Sequence, residues 1–132
     1  MKTAVRHVSR GREVIQCVRE VEGWRKLILA YVGLSSLPMP HTAHTRSGSS
    51  FCLEEFYDAE TLWQIYCRGI YEVRPDDRVI VDAGANIGLF VCYAAARAPR
   101  AFIHAFEPFP ATHERLVRTV RENGLEGRVT CH

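Results

Sequence analysis

The sequence predicts an α/β fold built on a parallel sheet, with helices and a hairpin leading into it. Three observations carry this. Val79-Ile80-Val81 is a short β-branched run without polar alternation, as a strand covered on both faces of a parallel sheet reads. A loop with two glycines follows at once, Asp82-Ala83-Gly84-Ala85-Asn86-Ile87-Gly88, and then an apolar, helix-compatible stretch at 89–96. A second apolar run, Ala101-Phe102-Ile103-His104-Ala105-Phe106, ends in Glu107. Strand, loop, helix and strand make the βαβ unit of a parallel sheet. The expected division is a lead-in over residues 1–72 and a partial ligand-binding domain over residues 73–132.

Composition narrows the class. The 132 residues suffice for one domain with a core, and 47% hydrophobic with 24% charged residues is ordinary for a globular protein. A net charge of +2 is too small to argue for a nucleic-acid partner, and the arginines alternate with glutamates as on a solvated helix face. Five cysteines without a CxxC pair, and a charged start without an apolar signal core, predict reduced thiols and a cytoplasmic setting. The longest apolar run, residues 27–34, is interrupted by Gly33 and is far too short to span a bilayer.

The elements follow in order. Residues 1–12 are polar and predict a loose start. Val14, Val18 and Val21, then Trp24, Leu27, Ile28 and Tyr31, keep helical spacing, with Gly23 between them. Gly33, Pro38 and Pro40 end the helical region. Residues 41–45 and 51–53 flank a turn near Gly48 and predict a hairpin. His41 and His44 are three apart, the wrong offset for ligands on one strand face, and no metal is expected. Asp58 is placed to cap a helix carrying Leu62, Ile65 and Tyr66 inward and ending at Gly69. Pro75-Asp76-Asp77 is a turn. Beyond the second strand, Pro110 suits a first helical turn, and Leu116, Val117 and Val120 form the predicted buried face. Gly124 suits the left-handed position after that helix, and residues 128–132 begin a third strand.

The loop chemistry points to one kind of ligand. A dinucleotide fingerprint needs Gly-x-Gly-x-x-Gly, but Asn86 stands where the second glycine belongs. No Gly-Lys-Ser/Thr follows for a phosphate loop. An acid at the strand end, Asp82, is a poor neighbour for pyrophosphate and a good one for an ammonium or sulfonium group. S-adenosylmethionine carries both, has no phosphate, and has a ribose that calls for a second acid after the next strand. Glu107 is that acid, about 20 residues beyond the loop. The candidate cofactor-binding residues are Asp82, Gly84, Asn86, Gly88 and Glu107, with Tyr71 placed to fold over the loop just before the first sheet strand.

Residues 81–90, then Ala105-Phe106-Glu107-Pro108 and Asn123-Gly124-Leu125, resemble the FkbM-type family of S-adenosylmethionine-dependent methyltransferases, over residues 46–132. Residues 58–71 are similar to the family's lead-in helix. The resemblance implies the class I Rossmann-like methyltransferase fold, and O-methylation of a sugar or other small-molecule hydroxyl. It also implies strand order 3-2-1-4-5-7-6, of which only strands 3, 2 and 1 are written here. The expectation is therefore a sheet truncated after the third strand, holding one wall of the cofactor crevice. A non-catalytic remnant that binds cofactor weakly, or pairs with another chain, is the competing reading. A nicotinamide dehydrogenase is disfavoured by the glycine phasing. No general base is assignable: His104 lies inside a strand and reads as a sheet-face residue, and His113 as a helix-surface residue. The first strand, without its second neighbour, is expected to expose an edge through which the chain self-associates.

Overall fold

A computed structural model describes residues 2–132, with side chains from Gly11 onward. The chain folds as two compact units, one of residues 1–48 and 52–70, the other of residues 49–51 and 71–132.

In the first unit, α1 (Lys2–Glu20) and α2 (Trp24–Tyr31) are separated by Gly23 in the left-handed conformation. The helix begins at Lys2, whereas the polar composition of the start predicts a loose segment. The predicted hairpin is present as β1 (His41–His44) and β2 (Ser50–Leu53), turning through Gly48 at φ 91°. Helix α3 (Phe56–Leu62) continues as a π-helical turn, Trp63–Arg68, and stops at Gly69 in the left-handed conformation. The predicted cap is displaced along the chain. Asp58 is the third helical residue, not the cap, and its Oδ2 reaches back to accept the amides of Glu54 (2.9 Å) and Glu55 (3.1 Å). A carboxylate serves free amides from either end of a capping box. Leu62, Ile65 and Tyr66 are buried as expected. Glu13 on α1 accepts the Trp63 indole N–H at 3.0 Å and pairs with Arg68 at 3.3 Å.

The second unit is a three-stranded parallel sheet in the order β3-β4-β5, with β3 (Val79–Ala83), β4 (Phe102–Phe106) and β5 (Val129–Cys131). Helices α4 (Leu89–Arg97) and α5 (Pro110–Glu122) make the crossovers. Pro110 occupies the first turn of α5, where a missing N–H costs nothing. Its far end closes with Gly124 at φ 64°, the Leu125 N–H reaching the Val120 carbonyl and the Gly124 N–H that of Arg121. The Arg128 guanidinium donates to the carbonyls of Ala95, Ala98 and Ala101, holding the turn after α4.

The core lies on one side of this sheet. Ile103, Ala105 and Val129 pack with Val91, Ala94 and Ala95 of α4 and Leu116 and Val120 of α5. Burying each of the larger side chains contributes about 1.5–3 kcal/mol. Two expectations are corrected here. Val117 is exposed and Thr119 is buried in its place, because α5 turns the 116/119/120 stripe inward. Among the described residues strand β3 packs on one face: Val79 and Val81 are exposed, while Ile80 between them packs against the core.

Gly88, at φ 90°, precedes α4 and lies against α5. A Cβ there would stand 3.0 Å from Leu116 Cδ1 and 3.4 Å from Thr119 Cγ2, both side chains buried. Left-handed strain and overpacking add, so Gly88→Ala is expected to destabilise the unit by about 2 kcal/mol or more. A urea melt showing an unchanged midpoint would contradict this.

Candidate functional site

The candidate site forms where β3 and β4 end side by side, with Ala83 opposite Phe106. The chain leaves β3 through Gly84 at φ 85° and Asn86 at φ 49°, and enters α4 through Gly88. Asparagine tolerates the left-handed region better than most side chains. The loop amides turn inward. The Gly84 and Ala85 N–H groups both donate to the Phe106 carbonyl at 2.9 Å, and the Gly88 N–H donates to the Ala85 carbonyl at 2.9 Å. A loop that cradles pyrophosphate presents such amides to its ligand. This one commits them to the β4 end and to itself.

Glu107 is the centre of the arrangement. It is 8% exposed, and both of its oxygens accept backbone N–H groups. Oε2 takes the Asn86 N–H at 2.9 Å and Oε1 takes the Phe109 N–H at 3.1 Å. One carboxylate thereby joins the β3–α4 loop to the β4–α5 loop. Asp82 sits on the covered side of β3, and its Oδ2 is buried without a hydrogen-bond partner. Burial, and then the nearby charge of Glu107, push its carboxyl up to about 6. An orphaned carboxylate oxygen beside a second acid favours a cation.

The remaining predicted residues divide. At Gly84 an added Cβ would meet nothing within 4 Å, so the loop is open on that side, whereas at Gly88 the close approach is to α5. Tyr71 is exposed, its ring tilted against Phe90 of α4 at 4.7 Å, and its carbonyl accepts the Tyr93 hydroxyl at 3.2 Å. His104 is on the sheet face away from α4 and α5, its Nδ1 3.2 Å from Nε2 of His132. His113 is half-buried on α5. One further residue belongs with these, and its role is not evident from residue type. Phe109, 70% exposed, stands two residues after Glu107 and is bonded to it through its N–H. Its only signal in the sequence is an aromatic directly following Glu107-Pro108.

Known proteins resemble the chain in both sequence and fold. It is 35% identical over 88 residues to the 31-O-demethyl-FK506 methyltransferase FkbM of Streptomyces tacrolimicus, a match covering 66% of this chain and 32% of that protein. It is 41% identical over 66 residues to Methyltransferase 1 of Beauveria bassiana, covering 48% of this chain and 26% of that protein. In sequence the chain resembles the FkbM-type methyltransferases. No family model matches it. It spans a third or less of the length of these curated FkbM-type and related methyltransferases. The crystal structure of P. horikoshii TYW2 in complex with MeSAdo superposes with a TM-score of 0.51 at 18% identity, over 83% of this chain and 46% of that one. The sheet and crossovers of the chain are those of the class I Rossmann-like methyltransferase fold.

The left-handed loop position gives a test that separates folding from binding. Asn86→Gly is expected to keep stability within a few tenths of a kcal/mol, and Asn86→Ala to cost about 1 kcal/mol. A loss of ligand affinity in the glycine variant would then report the Asn86 side chain itself. Equal denaturant midpoints for the two variants would contradict the backbone assignment.

Proposed function

We propose that this chain is the cofactor-binding part of an S-adenosylmethionine-dependent methyltransferase acting on a hydroxyl of a sugar or another small molecule. One observation carries the reading: an unpartnered buried carboxylate oxygen, on Asp82, stands beside a clamped carboxylate, Glu107, around a loop whose amides are turned away from any phosphate. These residues fit a cofactor that is cationic at one end and carries a ribose. Asp82 would hold the cationic methionine end. Glu107 has lone pairs left after its two backbone bonds and would accept the ribose hydroxyls. Phe109 offers a flat apolar face beside Glu107 for the base. Tyr71, resting on Phe90, would flank the sulfonium, where an aromatic face contributes about 0.5–2 kcal/mol.

The bound cofactor supplies an activated methyl group. The chain's share is to orient it, which is a large part of catalysis for a one-step displacement. The kinship with 31-O-demethyl-FK506 methyltransferase FkbM supports a hydroxyl acceptor. All five cysteines are free thiols, which supports a reducing, cytoplasmic setting. No helix among the described residues is long and apolar enough to cross a membrane.

Titration calorimetry with S-adenosylmethionine, S-adenosylhomocysteine and NAD⁺ tests the reading. Binding of the first two without the third is expected. Binding of NAD⁺ alone, or of none, would overturn it.

A further inference from the structure

We propose that Phe90 and Tyr93 of α4 are positioning residues that hold Tyr71 at the sulfonium, and so set how far the site prefers S-adenosylmethionine to its demethylated product, S-adenosylhomocysteine; this rests on the cofactor proposed for the loop. No helix or strand covers residues 69–78, so no backbone ladder fixes Tyr71. Contacts with α4 do. The Tyr93 hydroxyl donates to the Tyr71 carbonyl at 3.2 Å, and the Phe90 ring lies 4.7 Å from the Tyr71 ring, tilted by 53°. One contact holds the main chain and the other holds the side chain.

The support is itself fixed. Residues 90, 93 and 97 are three and four apart and share one side of α4. Tyr93 is 5% exposed. Its ring lies 6.2 Å from that of Phe90, and the Arg97 guanidinium stands 3.5 Å from its centre. Phe90 is the second residue of α4, just beyond Gly88 where the glycine loop ends. The row therefore keeps the Tyr71 ring beside the point where loop becomes helix.

The chemistry of the two ligands gives that placement a consequence. Both carry the ammonium group and the ribose, so Asp82 and Glu107 serve them alike. They differ by one methyl group and one positive charge at sulfur. An aromatic face attracts a sulfonium and has no such attraction for a neutral thioether, a difference of about two- to thirtyfold in affinity. The attraction needs the cation within about 6 Å of the ring centre. A Tyr71 free to swing away would lose it for the cofactor and cost the product little.

Titration calorimetry of both molecules with the 132-residue chain reads the ratio of the two affinities. Tyr93→Phe removes only the hydroxyl and should shift that ratio toward the product by at least about threefold. Phe90→Leu keeps the hydroxyl, should act in the same direction, and carries the test should Tyr93→Phe not fold. Tyr71→Leu combined with Tyr93→Phe should move the ratio no further than Tyr71→Leu alone, because Tyr93 acts through Tyr71. A fall of both affinities by one common factor, an unchanged ratio, or additive effects in the double variant would overturn the inference and leave the cofactor assignment standing. Binding of neither molecule by the unaltered chain would overturn both.

Discussion

Glu107→Ala is expected to weaken S-adenosylmethionine binding by at least about a hundredfold. Each hydrogen bond to a charged group is worth roughly 1.5–3 kcal/mol, and two ribose hydroxyls are at stake. The truncation also strips the Asn86 and Phe109 amides of their acceptor, so both loops lose the group that joins them. Glu107→Gln should fall between, since its amide keeps one acceptor oxygen and turns a donor toward one of those N–H groups. Calorimetry on the two variants decides the matter. Affinity unchanged in the alanine variant would remove Glu107 from the site.

The second large effect is on pH. Asp82 is raised to about 6 by burial and by the neighbouring Glu107 charge. A carboxyl raised in this way favours the fold in its protonated form. That contribution is full below about pH 4 and is lost as pH rises through about 6. A cationic ligand reverses the preference, because it needs the ionised form. Binding then displaces a proton below pH 6, and affinity should fall by about tenfold per unit there and level off above. The window runs from about pH 4.5 to 7, short of the range where an α-amino group loses its own proton. Asp82→Asn should flatten the profile and lower its plateau. A sloping profile that survives in that variant would place the titrating group elsewhere.

Local chemistry was readable in the sequence and tertiary choice was not. The three strands, the crossover helices and Gly124 follow from apolar runs, proline at a first turn and glycine at a left-handed stop. Asp58 reads as a cap by residue type and serves instead from the third position, because both places in a capping box suit a carboxylate. The π-helical turn at Trp63–Arg68 leaves no trace in residue type. Val117 and Thr119 both lie near the inward stripe of α5. Thr119 lies against Gly88, whose missing side chain leaves room there. The coverage of β3 is not a local property either, since a valine on a bare face and one in a core spell the same strand. At the site, the acids and the loop were legible as residue types. Glu107's grip on two backbone amides was not, because it depends on two loops meeting across 21 residues of chain.

That grip bears on how binding would proceed. A loop that is loose until a ligand arrives loses conformational entropy at the moment of association, and the loss is subtracted from affinity. Here Asn86 and Phe109 are pinned to the same buried carboxylate by bonds within the chain itself. Folding has already removed that freedom. The cofactor would meet a preassembled wall, and its entry should leave the backbone of both loops where it already lies.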